Sequence, residues 1–382
     1  MKDKINVAVV GLNFGFEFAV CYKNHPMVGE LSICDFNKDL VKRTGERLGV
    51  EKRFYDMDEV LKDPTIDAVH LLTNIPDHDK QAVKVLKAGK HCASAVPMSL
   101  TMEGIDEILK TQKETGKTYM LMETIIFTRN FLYAQSLIDN GTMGKVQYAT
   151  GAHYQDMEGW PRYWRGMPPM YYASHALAPA FTALKCGAKK VMCLGTGKMS
   201  EEMENGPYGK SFPAEIAIFE MQDGTCVQLT RTLYNNARGY TEAWSLGGDN
   251  IAFETGQMDD DLPVIYKYVD DGKYDADHMN TAGRPYTEQR MDPPDRLDLI
   301  PRELHHLTQP TVLTSETNPE DKYTYFSRGG YHPHVVNEFV VCVATGKQPY
   351  YNAARSAALT AACICAHESA VKGGEPVNIP VY

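Results

Sequence analysis

No apolar run in the 382 residues approaches the ~18 that a membrane span needs. Metal-ligating patterns are missing too. The nine cysteines are scattered, with no Cys-x-x-Cys pair and no Cys/His spacing; the closest two are Cys363 and Cys365 in a small-residue segment. An odd, dispersed set reads as buried thiols in a reducing cytoplasm, not as a disulfide framework or a zinc site, and no metal is expected. Basic charge is in deficit: 39 Lys and Arg stand against 49 Asp and Glu, a net charge of −10. That balance argues against nucleic acid or an anionic membrane as partner, since both require a basic surface. Low-complexity tracts and internal repeats are absent. The opening MKDKINVAVVGL has only a short apolar stretch before a glycine, which reads as a first strand and not as a signal peptide. What remains is ordinary for a folded protein, with 43% apolar and 23% charged residues. The length suits two domains, because single cores rarely grow beyond ~250–300 residues.

The first 125 residues alternate strand and helix. Val7–Val10 is a continuous apolar run ending at Gly11, as a buried parallel strand requires. A helix is expected from about Gly15 to Lys23, then a strand over Leu31–Cys34 closing on Asp35. Asn37 can cap the next helix, and Ala68–Thr73 is a third strand. A helix stopped by Gly89, a strand over His91–Val96, a helix carrying Ile105, Ile108 and Leu109, and a strand over Tyr119–Met122 complete the series. This spacing implies an α/β class with a doubly wound parallel sheet, a Rossmann domain over residues 1–125. Beyond Phe127 the pattern changes. A helix over Asn130–Asn140 leads into alternating strands at Val146–Tyr154, Lys190–Leu194, Ala214–Met221, Thr225–Leu233 and Glu242–Leu246, with Asp223-Gly224 as a hairpin turn. Residues 126–382 are therefore expected to form an α+β domain on a large, mostly antiparallel open sheet. Pro293–Asp321 reads as an irregular excursion, and two helices, His334–Thr345 and Ala353–Val371, follow.

Gly11-Leu12-Asn13-Phe14-Gly15 lies between the first strand and the first helix, where backbone N–H groups meet a pyrophosphate. The motif is imperfect. Asn13 takes the place of the second glycine, and because Asn tolerates positive φ the turn is expected to survive. Asp35 follows Gly11 by 24 positions, near the ~20 expected of the acid that binds the adenosine ribose. No arginine comes immediately after it, so NAD is favoured over NADP. Ligands of such sheets sit beyond the carboxyl ends of the strands. Those ends are Thr73-Asn74, Ser94–Pro97 with Val96, and Glu123; with His78 just beyond, they mark the nicotinamide end.

Five segments carry a family resemblance along nearly the whole chain: GLNFGFEF, FYDMDEVLKDPTIDAVHLLTNIPDH, VKVLKAGKHCASAVPMSL, YHPHVVNEFV and AHESAVKGGEPVNIP. In these the chain resembles the Gfo/Idh/MocA oxidoreductases. The resemblance implies a Rossmann domain followed by an open antiparallel sheet, NAD(P), polyol or sugar substrates, and dimers or tetramers formed through the sheet. The family commonly carries Glu-Lys-Pro after the fifth strand; here the segment is Ala95-Val96-Pro97, so Val96 replaces the lysine. Tyr171 stands where an Asp commonly precedes the active-site histidine. Both departures are similar to the NAD-dependent glycosidases of the α-N-acetylgalactosaminidase type, whose Tyr-x-Thr-His-Gly-Leu-Gly-Pro segment is matched by Tyr172-Ala173-Ser174-His175-Ala176-Leu177-Ala178-Pro179. That likeness implies Glu123, Tyr172 and His175 as active-site residues, while His153 stands where the branch places a tyrosine.

Oxidation of a secondary alcohol needs a base for the hydroxyl proton, and imidazole suits this near neutrality. His175 is the first candidate, with a helix cap as its bland alternative. Tyr172 could relay the proton or merely wall the substrate. His153, Tyr154 and Asp156 close a strand whose alternation turns His153 and Tyr154 to opposite faces. Trp160, Arg162, Trp164 and Arg165 follow; rings and guanidinium groups at this density read as a carbohydrate wall or a loop anchor. His332, behind a glycine hinge, is a further substrate candidate, with helix capping or surface exposure as its alternatives. The expected function is an NAD-dependent oxidoreductase acting on a sugar or glycoside hydroxyl. A glycosidase with transient oxidation and no net redox change stands as the alternative, and a non-catalytic sensor as a third reading.

Overall fold

Val7, Ala8 and Val9 have no accessible surface, which is what a strand covered on both faces demands. The computed structural model describes residues 2–204, 206–258, 261–269 and 284–382. From β1 (Ile5–Val10) the chain enters α1 (Leu12–Asn24), β2 (Val28–Cys34) and α2 (Lys38–Leu48). The expected cap of α2 is present: the Asn37 side chain accepts the Leu40 N–H, and Gly49 ends the helix at φ 58°. Then come β3 (Arg53–Phe54), α3 (Met57–Lys62), β4 (Ala68–Leu71), α4 (His78–Lys87), β5 (His91–Ser94), α5 (Met102–Thr115) and β6 (Tyr119–Leu121). The sheet is parallel, in the order β3-β2-β1-β4-β5-β6. Strand order reverses between β1 and β4, the place where such a sheet opens a crevice for ligand.

The next stretch runs α6 (Arg129–Asp139), β7 (Val146–Tyr154), α7 (Ser174–Leu184), β8 (Ala188–Thr196), a single turn α8 (Glu201–Glu204), β9 (Ala214–Met221), β10 (Cys226–Thr232), β11 (Thr241–Gly248), β12 (Ile251–Glu254), β13 (Val264–Tyr268) and β14 (Tyr286–Arg290). These strands join in the order β14-β13-β12-β11-β7-β10-β9-β8, antiparallel except at β7 and β10. Asp223-Gly224 makes the expected turn, with Gly224 at φ 90° and the Asp223 carboxylate accepting the Thr225 N–H. From Ser174 to Ala183 every residue of α7 is buried. Its small side chains allow a close approach: a Cβ on Gly151 of β7 would lie 2.0 Å from the Ala176 carbonyl oxygen.

Residues 293–321 are more ordered than expected. Two 3-10 turns lead into a hairpin of β15 (Thr311–Thr314) and β16 (Lys322–Tyr325), followed by α9 (Tyr331–Thr345), α10 (Ala353–Val371) and β17 (Val377–Asn378), which pairs with β8. Two compact units result. One holds the chain up to Arg129 together with Asp295–Ile364 and Tyr382; the other holds Asn130–Pro294 and Cys365–Val381. In the first, the hairpin is clamped to α2 by Arg47, whose guanidinium reaches both Asp321 oxygens at 2.9 and 3.1 Å. Among the described residues no helix is long and apolar enough to cross a membrane.

Candidate active site

In the first unit, Gly11 takes φ 91°, and a Cβ there would lie 2.3 Å from the Leu72 carbonyl oxygen, so no other residue fits. The helix begins at Leu12, earlier than expected. Asn13 is therefore helical, and it is not among the residues with positive φ; the glycine it replaces is not needed for a turn. Gly15 has a packing role, since its Cβ would meet Val9 and Leu72 side chains at 3.0 and 3.1 Å. At the start of a helix the N–H groups have no carbonyl one turn earlier. Here the Leu12 N–H is bound by Asp35 Oδ2 at 2.8 Å, and the other Asp35 oxygen accepts the Asn37 N–H at 2.9 Å. This leaves the Asn13 and Phe14 N–H groups to an anion, and each Asp35 oxygen keeps a lone pair for a ribose hydroxyl.

His78 is buried between the two loops that follow β4 and β5. Its Nδ1 lies 2.9 Å from the Pro97 carbonyl oxygen and its Nε2 3.2 Å from that of Thr73. Burial lowers its pKa, and a neutral ring carries one N–H, so it donates to one loop at a time. Thr73, Asn74, Val96 and Pro97 are thus braced by an imidazole. The Val96–Pro97 peptide is cis. Glu123, at the end of β6, is fully buried, and its carboxylate accepts the Ile125 N–H at 3.4 Å. His332 also belongs to this unit. It is buried in the interior, with ring centroids 4.7 Å from Phe18 and 4.3 Å from Tyr331, and burial pushes its pKa down to about 3.

The second unit gathers three of the expected residues. The ring centroid of His153 lies 5.7 Å from that of His175 and 6.1 Å from that of Tyr172, and Tyr172 and His175 meet edge-on at 5.6 Å. Trp164 is buried edge-on against Tyr172 at 4.9 Å. His153 is 1% exposed, and neither of its ring nitrogens has a hydrogen-bond partner. Burial, then the charge of Arg231 and the ring of His175, hold its pKa well below the ordinary value, so it is a neutral acceptor at physiological pH. The remaining candidates sit elsewhere. Tyr154, on the other face of the strand, lies under the Arg238 guanidinium at 4.1 Å. Asp156 spends its oxygens on the Glu158 and Asn236 N–H groups. Trp160 is half exposed, Arg162 is exposed, and Arg165 pairs with Glu202.

Residues not singled out in the sequence complete the group. Tyr240 lies edge-on to His153 at 5.3 Å and donates its hydroxyl to Glu242, whose carboxylate is 3.8 Å from His153 Nε2. Glu215 is fully buried, accepts the Met170 N–H at 2.7 Å and lies 2.7 Å from His367 Nδ1. The signal lies in which face is buried. In β10, Val227, Leu229 and Arg231 share the buried face, and in β9 so do Glu215, Ala217, Phe219 and Met221. A charge at a core-facing position of an alternating strand marks a site.

Residues 5–123 match the model of the Gfo/Idh/MocA oxidoreductase family, NAD-binding Rossmann fold. A glycosyl hydrolase family 109 protein of Porphyromonas gingivalis is 26% identical over 263 residues, 63% of this chain and 54% of the relative. A myo-inositol 2-dehydrogenase of Thermotoga maritima is 31% identical over 114 residues, 30% of this chain and 34% of the relative. The chain thus spans about half or less of the length of these relatives. A levoglucosan dehydrogenase solved with NADH and levoglucosan superposes with a TM-score of 0.77 over 99% of this chain and 100% of the other, at 18% identity, a likeness of fold.

Proposed function

We propose, from the match of residues 5–123 to the Gfo/Idh/MocA oxidoreductase family, NAD-binding Rossmann fold, that the chain is an NAD-dependent oxidoreductase acting on a hydroxyl of a sugar or glycoside. The observation that carries this reading is the buried grouping of two imidazoles and a phenol in the second unit, His153, His175 and Tyr172. Gly11, Asn13, Phe14 and Gly15 suit the pyrophosphate and Asp35 the adenosine ribose. Thr73, Asn74, His78, Val96 and Pro97 suit the nicotinamide end. The Asp35 carboxylate repels a 2′-phosphate, which favours NAD over NADP. NAD bound there supplies the hydride acceptor. His175 takes the hydroxyl proton as the carbonyl forms, Tyr172 orders that proton with Trp164 packed behind it, and Tyr240 presents ring surface to sugar C–H groups.

A second reading is a glycosidase with no net redox change, and Val96 favours it. An apolar residue, 6% exposed, stands where a lysine-assisted dehydrogenase has its amine, and two adjacent imidazoles suit a reaction that moves two protons. Oxidation at one ring carbon acidifies the neighbouring C–H, the aglycone is eliminated, water adds and the ketone is reduced again. The likeness to both a family 109 glycosyl hydrolase and an inositol dehydrogenase supports either outcome. Incubation with NAD and a panel of polyols, free sugars and aryl glycosides separates them. Stoichiometric NADH indicates the dehydrogenase, and free sugar without NADH build-up the glycosidase. Binding without turnover rejects both and leaves a sensor.

The second unit would then be the substrate-binding part, with a second copy of the chain on its sheet. Met192 opposite Ile218 and Leu194 opposite Ile216 form an apolar patch, each 44–59% exposed, as a covered sheet face requires. Nine cysteines without a disulfide suit a reducing cytoplasm.

A further inference from the structure

Four charged or titratable side chains form a row across adjacent strands of the second unit. The register pairs Glu215 of β9 with Arg231 of β10, Arg231 with His153 of β7, and His153 with Glu242 of β11. Directly opposed residues in a ladder point to the same face, here the face against which α7 packs. Arg231 is the unusual member. It is fully buried, yet its hydrogen-bond acceptors are neutral oxygens. Nε donates to the Tyr172 carbonyl at 2.6 Å, one terminal nitrogen to the His153 and Thr232 carbonyls at 3.1 and 2.8 Å, and the other to Gln155 Oε1 at 3.0 Å. The Tyr172 ring lies 5.4 Å from the guanidinium carbon. A buried charge with no carboxylate among its hydrogen-bond acceptors is expensive even with Glu242 acting on it through space, and a lysine could not reach four acceptors in this planar arrangement.

We infer that Arg231 is a positioning residue of the active cluster: it fixes Tyr172 and His153 by their carbonyls and, with its charge close by, keeps the His153 imidazole neutral, a hydrogen-bond acceptor for the substrate beside the base His175. The inference rests on the sugar-hydroxyl reading only for its catalytic half. The groups facing His153 are Tyr172 and His175 from the segment entering α7, Arg231 from β10, and Tyr240 and Glu242 from β11. Burial, Arg231 and His175 all disfavour its protonated form; the Glu242 carboxylate acts in the opposite direction. Both unpartnered ring nitrogens of His153 then await substrate or water.

Histidine-selective NMR titration of the full chain tests this, with His153→Gln assigning the resonance. In the parent His153 stays neutral to well below pH 6.5; a normal titration near 6.5 overturns the inference with no variant needed. Arg231→Met removes the charge and moves the His153 titration to higher pH, whereas Arg231→Lys keeps the charge and leaves it near the parent value. With a substrate from the glycoside panel, Arg231→Lys lowers kcat by about 100-fold, the scale of a small misplacement of reacting groups, and leaves NAD affinity unchanged. Parent kcat in Arg231→Lys, or an unmoved titration in Arg231→Met, contradicts it. If no glycoside is turned over, the functional reading fails and the titration still decides the electrostatic role of Arg231.

Discussion

His332 shows what a single side chain contributes. Among the buried or half-buried histidines of the first unit, His70 and His332 have pKa values pushed down to about 3, and His91 and His334 to about 4, in each case chiefly by burial. A histidine whose folded pKa is depressed binds fewer protons folded than unfolded between the two values. Its stabilising effect is therefore complete above about 6.5 and lost as pH falls toward 3. Thermal unfolding followed from pH 7.5 to 5 should show a falling midpoint. His332→Leu should reduce the loss at pH 5 by about 2 kcal/mol at most; an unchanged pH slope would contradict the burial argument. The same scale shows what the sequence could carry. The Gly11 turn and the Asn37 cap follow from local rules and are present in the structure. For His332 the sequence offered a substrate contact, a helix cap or an exposed position, and the structure buries it instead, because no local pattern tells a buried imidazole from an accessible one. Arg231 and Glu215 are not legible from alternation alone, which marks β9 and β10 as strands without telling which face is buried.

Among the elements, α7 carries His175 and depends on a glycine in the strand beneath it. Because a Cβ at Gly151 would sit 2.0 Å from the Ala176 carbonyl oxygen, Gly151→Ala must displace the helix. The cost expected is about 1–3 kcal/mol, as for other overpacked cores, together with a loss of turnover larger than the loss of NAD affinity. Circular-dichroism melts and turnover assays check both; parent stability and turnover would mean that the close approach is not required. Strands with clear alternation or buried runs, β1, β7 and β9 among them, were readable. β13 and β14 were not, since β14 is exposed at every position and β13 has no buried residue; a solvated edge strand leaves no hydrophobic period to detect. The parallel pairing of β7 with β10 is equally invisible, because register is a long-range property.

At the level of the whole molecule, the chain's return to the first unit at Asp295 has no hydrophobic signature. It is fixed by long-range contacts such as Arg47 with Asp321 and the Cys21 thiol 3.3 Å from the Tyr325 hydroxyl. The exposed patch on the nine-stranded sheet predicts association of copies. Ile218→Lys should shift sedimentation from oligomer to monomer at micromolar concentration, and a parent that is already monomeric would refute the assignment. His175 of the second unit is the proposed base. Its most direct test compares NAD affinity and turnover in His175→Ala with the parent on one substrate from the panel. The account predicts NAD affinity within about twofold and turnover lower by about 10²–10⁴-fold, the usual contribution of a general base. Equal turnover in variant and parent would contradict it.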